Sequence, residues 1–165
     1  MKNLMQSFLK VGLLTILLVA TSLETQAATP ITYQVIDATS IRLIAPQNQV
    51  IRNRTDWQSF YLAATSWIYP QPAVPSIDFS KVVVAVMASG EKATGGYKLL
   101  ISSLIDVPTS SSVATSYIDV QAALINPDIG CMVSQSATYP VAMFTIPRTA
   151  KPFVFRVGNV YNKCL

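Results

Sequence analysis

Lys81-Val82-Val83-Val84-Ala85-Val86-Met87 is the stretch on which the fold turns. Six apolar residues follow the lysine without a break, and four of them are valine. A strand with one wet face alternates polar and apolar residues, so a continuous run implies burial on both faces. Branching at Cβ favours a strand over a helix, and the run is short for a helix. The stretch therefore predicts a central strand, with a helix against one face and more sheet against the other.

The helix is found upstream, over Asn53 to Thr65. Trp57, Phe60, Tyr61 and Ala64 fall on one helical face, and Thr55 followed by Gln58 has the spacing of a capping box. Such an aromatic stripe is core packing rather than a ligand site. Between helix and strand, Pro70, Pro72 and Pro75 exclude both helix and central strand and predict a stiff crossing loop. Further upstream, two short strands are expected within Ile31 to Ile51. Tyr33 and Val35 alternate with polar residues there, and Ile41, Leu43 and Ile44 precede Pro46.

Downstream the chain reads as strands joined by polar turns. Tyr97 to Ile105 carries a bulge signal at Ser102 and Ser103. In Ser116 to Ile125, Ile118, Val120, Ala122 and Leu124 face one way, with Asp119 and Gln121 opposite. Tyr139 to Ile146 and Phe153 to Val157 follow, with Pro140 and Pro147 bounding the former. The fold class is α+β, mostly β. It is an antiparallel sheet or sandwich of about six to seven strands with one amphipathic helix near the start of the mature chain.

That mature chain is expected to begin after residue 27. Lys2 and Lys10 flank a positive segment, Val11 to Ala20 is apolar, and Thr25-Gln26-Ala27 has the small residues of a cleavage site. Residues 1–27 thus read as a signal peptide and 28–165 as a single β-rich domain. No cysteine follows the apolar run, so no lipid or membrane anchor is expected after cleavage. The protein should be exported, to the periplasm or the medium. There the two cysteines, Cys131 and Cys164, are expected to form a disulfide that fastens the end of the chain.

Composition narrows the chemistry. The 165 residues are 51% hydrophobic and 12% charged, with no histidine. That excludes Ser-His-Asp and Cys-His catalysis and every imidazole metal site. Ten lysines and arginines against seven acids within residues 28–165 form no basic run, so no nucleic-acid partner is expected. The acids lack the spacing of a calcium loop, and no metal or cofactor is expected. Ser89-Gly90-Glu91-Lys92 matches the Ser-x-x-Lys pattern of penicillin-interacting enzymes, without that family's accompanying motifs. Asn53-Arg54-Thr55 has the form of a glycosylation sequon.

The most distinctive segment is Gly90-Glu91-Lys92-Ala93-Thr94-Gly95-Gly96-Tyr97. Its glycines can serve a turn or bulge between two strands. They can also let a partner's backbone approach, with Thr94 and Tyr97 offering a hydroxyl and an amphipathic ring. Thr94, Gly95, Gly96 and Tyr97 are the candidate partner-binding residues.

These residues also carry a resemblance. Asp56-Trp57-Gln58, Ile77-Asp78-Phe79-Ser80, the valine run, Thr94-Gly95-Gly96-Tyr97, Gly130-Cys131, Tyr139-Pro140-Val141-Ala142 and Ile146-Pro147-Arg148 occur in this order. Together they resemble the C-terminal domain of the protease complex-subunit PrcB family, over roughly residues 50 to 157. The resemblance implies a non-enzymatic accessory domain whose partner is a secreted protease or another envelope protein. The family's namesake is a lipoprotein; this chain lacks the lipoprotein cysteine, so anchoring does not carry over. A looser similarity links Thr94 to Tyr97 with the Thr-Gly-Tyr loop of chagasin-like inhibitors of papain-type peptidases. Here that loop has one more glycine, and the inhibitors' Arg-Pro-Trp loop is absent.

Overall fold

A computed structural model describes residues 27–110 and 112–163. All but the last residue of the expected signal peptide, and also Cys164, lie outside these. The valine run forms β4 (Val82–Ser89). It pairs antiparallel with β3 (Pro46–Ile51) on one side and β7 (Val141–Pro147) on the other. β2 (Gln34–Ile36) extends this sheet, giving the order β2-β7-β4-β3. As the absence of alternation requires, Val83 to Ala88 are all buried.

One face of β4 meets the helix. Val84 and Val86 pack with Met143 against Trp57, Tyr61 and Ala64 of α1 (Arg54–Ala64). The cap of α1 is Asn53 rather than Thr55: Asn53 Oδ1 accepts from the Asp56 amide at 2.9 Å, and Asn53 Nδ2 donates to the Asp56 carboxylate at 2.7 Å. The same reciprocal logic applies as in the Thr55–Gln58 expectation, but two residues earlier. It also occupies the side-chain nitrogen of the sequon. The Trp57 indole donates to the Pro75 carbonyl at 2.9 Å and so ties the proline-rich loop to the helix.

The other face of β4 meets a second sheet. Val83, Ala85 and Met87, with Phe144 and Ile146, pack against Leu99, Leu104, Ile118, Val120, Ala122 and Leu124. These come from β5 (Lys98–Val107) and β6 (Tyr117–Pro127) of a sheet ordered β1-β5-β6-β8. β1 (Thr29–Pro30) covers only Ile105 and Asp106 of β5. β5 and β6 shift register between Ile101 and Ser103, where the serine pair predicts a bulge.

The layers are thus helix, sheet, sheet. Among the described residues eight strands occur; β2 falls where the first short strand is expected, and the excess over the expectation lies in β1, two residues long. Two local expectations change. Ile41 to Ile44 is not a strand; β3 starts at Pro46. β8 (Phe153–Asn162) runs past Val157 and lies parallel to β6, the one parallel pairing described. After β6 the chain crosses into the other sheet as β7 and returns to the end where β6 began, so β8 enters alongside it in the same direction.

On the outer face of this second sheet, Asp119 is 7% exposed. Burial alone pushes its carboxyl up. Hydrogen bonds from Gln121 Nε2 at 2.9 Å and Arg156 Nε at 2.8 Å, with the guanidinium charge, outweigh burial and hold it below the ordinary carboxylate value. A carboxyl lowered by folding stabilises the protein above its unfolded value, about pH 4, and loses that contribution as pH falls through the folded value. Denaturant melts at pH 7 and pH 3 should therefore show a smaller acid loss in Asp119→Asn than in the native chain. Equal losses would remove Asp119 from the acid response.

Candidate functional site

β4 ends at Ser89, and Gly90 turns the chain with φ +77°. A Cβ on Gly90 would stand 2.9 Å from both the Ile44 carbonyl oxygen and Pro46 Cδ, so two segments of backbone meet here. Lys92 and Thr138 then exchange backbone hydrogen bonds of 2.8 and 2.9 Å. Thr138 Oγ1 donates to the Thr94 carbonyl at 2.8 Å, and the Gly95 amide donates to the Ser134 carbonyl at 2.8 Å. The loop is stitched along its length to residues 133–138.

This explains both glycines. Gly95 is buried, and a Cβ there would overlap Ser134 Oγ. Gly96 has φ +87°, and its Cβ would lie 2.9 Å from Val133 Cγ1. The atoms that approach them closely are the chain's own, from Ser134, Val133 and Pro127. Thr94 and Tyr97 keep half-exposed side chains, and the Lys92 ammonium lies 5.9 Å from the Tyr97 ring centroid. Ser89 Oγ bonds the Pro140 carbonyl at 3.5 Å, and among the described residues Ser89 and Lys92 make no hydrogen bond to each other.

Tyr97 leads from the loop into a groove of about 570 Å³ between β2 and β7 on one side and β5 on the other. Tyr33, Val35, Tyr97 and Tyr139 stand on its walls. Val35 is 75% exposed, and the Tyr33 ring meets Phe144 edge-on at 5.7 Å. Beyond the stub of β1, residues 98–103 of β5 have no described strand on this side. Tyr33, Val35 and Tyr139 did not figure among the expected site residues. They are remote from the glycine loop in sequence, and only the pairing of β2 with β7 brings them together.

Among the described residues no group of three or more His, Cys, Asp or Glu side chains could hold a metal, and no helix is long and apolar enough to cross a membrane. The Cys131 sulfur lies 3.7 Å from the Asn162 carbonyl, which also accepts from the Asp128 amide at 3.2 Å. The turn holding Cys131 therefore sits at the end of β8, two residues before Cys164 in the sequence.

None of the curated proteins or solved structures compared matches this chain. A family model does match, and over less of the chain than the resemblance covered: Asp56-Trp57-Gln58 and Ile77 to Ser80 fall outside it. From the second residue of β4 to the last of β7, taking in the glycine loop and the β5–β6 hairpin, residues 83–147 match the family described as PrcB C-terminal.

Proposed function

We propose that this chain is an exported, non-enzymatic accessory domain that works by binding a protein, in association with a secreted protease complex. The observation that carries the reading is the PrcB C-terminal match over residues 83–147. Aromatic side chains on a rigid scaffold supply contact area with little ordering entropy, and Tyr33, Tyr97 and Tyr139 stand in that way around the groove. The glycine loop serves to hold Tyr97 and Thr94 in place.

Affinity capture of the tagged, crosslinked protein from the envelope and medium of its own cells tests this. A secreted peptidase enriched with the native chain, and lost with the Tyr97→Ala/Tyr139→Ala double variant at unchanged melting temperature, is the expected result. Capture of no secreted or envelope protein would overturn the reading.

Export and the disulfide belong to the same proposal. The N-terminal residue of the mature protein should be Ala28. Denatured, unreduced protein should show no reactive thiol in a thiol titration, whereas two would rule out the Cys131–Cys164 bond. The approach of Cys131 to the end of β8 favours that bond.

A further inference from the structure

Arg42 lies near Tyr139, a residue of the groove wall, and is held in an unusual way. Its backbone amide donates to the Ala64 carbonyl at the end of α1, at 3.1 Å. Its guanidinium carbon lies 3.4 Å from the centroid of the Trp67 ring and 5.3 Å from that of Tyr139. Trp67 is 46% exposed, yet its ring is fixed, because the indole Nε1–H donates to the Ser40 carbonyl at 3.2 Å. The guanidinium of the exposed Arg42 thus rests on Trp67 with Tyr139 farther off, and among the described residues its N–H groups make no hydrogen bond or ion pair to the protein.

A guanidinium held by its face keeps its donor edges free, and five N–H groups in a planar fork match a carboxylate. Arg42 also sits beside the last turn of α1, which carries no basic residue of its own, and a cation is favourable there. That role needs only a charge. It does not account for an exposed guanidinium seated on a Trp67 ring that Ser40 itself holds in place.

A second groove, of about 530 Å³, starts at Arg42 and runs between α1 and β3. Gln47 and Gln49 of β3 line one wall, and Phe60 and Ala63 of α1 line the other. Asp56, at the start of α1, lines it as well, and its carboxylate is already engaged by the Asn53 cap. β3 is the edge of its sheet, so one side of its backbone has no described strand beside it. The groove therefore offers an extended segment a strand edge to lie along and one unpaired positive group to anchor it.

We propose that Arg42, held by Trp67 and Tyr139, is a carboxylate-binding site that takes an acidic side chain or C-terminal carboxylate from an extended segment of a protein partner lying along β3. The assignment rests on the reading that this chain binds a protein. The charge complementarity is local: a free guanidinium at one end of a groove whose only carboxylate is engaged at the other.

NMR titration of the ¹⁵N-labelled protein tests it, with acetyl-Glu-Val-Glu-Val-Glu-Val-amide as probe and its glutamine analogue as control. The expected result is a saturable shift of the Arg42 Nε–H and Trp67 Nε1–H signals with the acidic peptide and none with the control. The glutamine peptide bearing a free C-terminal carboxylate separates the two sources: a shift with it assigns the C-terminus, a shift confined to the glutamate peptide assigns the side chain. Arg42→Lys keeps the charge but loses the fork, and should weaken binding about tenfold, as expected for one charge-assisted hydrogen bond. The native chain with the two peptides is decisive even where that variant misfolds. Neither signal moving at millimolar acidic peptide, or both moving equally with the amide control, would overturn the site. Arg42→Lys also separates this site from the broader reading: a partner captured equally by native and variant chains leaves the accessory role standing and removes Arg42 from it.

Discussion

Trp57→Ala is expected to lower stability by about 3–5 kcal/mol, the range for an emptied aromatic core site. Trp57 is 1% exposed and is the centre of the helix–sheet contact. Its ring lies 5.9 Å from Phe60 and 5.4 Å from Tyr61, so its loss loosens its own neighbours on the helix as well as the valines beneath. Its indole also holds the Pro75 carbonyl, and alanine would leave that acceptor without its partner. A domain of this size has ~5–15 kcal/mol in total, so the variant stands near the limit of folding. Trp57→Phe keeps most of the packing and lacks the N–H, and should fall between the two. Urea melts of the three chains check this, and a Trp57→Ala loss under 1 kcal/mol would show that α1 is not needed to cover β4.

The centre of the fold was legible because its residues leave few choices. An unbroken apolar run rich in valine reads as a strand covered on both sides, and the stripe Trp57, Phe60, Tyr61 and Ala64 reads as a helix laid on something apolar. The edges were less legible. Thr55 and Asn53 are both good caps with a hydrogen-bonding residue three positions on, and the choice of Asn53 depends on where β3 delivers the chain. β8 reads as ending at Val157 because Gly158 and Asn159 break the alternation, yet pairing with β6 carries it to Asn162. Its parallel direction is a property of the route through β7 and has no mark in its own residues.

The sites divide in the same way. Thr94 to Tyr97 stood out as a local motif, but what its glycines meet is a segment some forty residues on, near Ser134. The groove and the Arg42 clamp are both assembled from residues far apart in the chain. Arg42, Trp67 and Tyr139 lie on three separate segments between elements, and none carries a local signal.

Gly90→Ala is the second large effect, expected at about 2–5 kcal/mol. Positive φ in a residue with a Cβ accounts for about 1–2 kcal/mol, and overpacking for about 1–3 more. The overpacking cannot relax cheaply, because the Cβ would meet the Ile44 carbonyl and the Pro46 ring rather than the tip of a flexible side chain. Gly96→Ala has the same backbone strain but meets Val133 Cγ1, which can move, so its loss should be the smaller of the two. Urea melts that rank the variants in this order support a structural role for the glycines. The ranking also decides how the loop can be tested for binding. A glycine variant that fails to capture a partner reports only that the loop has come away from residues 133–138. Thr94→Ala and Tyr97→Ala remove exposed atoms and leave the stitching backbone intact, so partner capture lost in these at unchanged stability would place the contact on the loop. Gly90→Ala as stable as the native chain would mean that β3 and the β4 turn are not held as closely as the 2.9 Å approach requires.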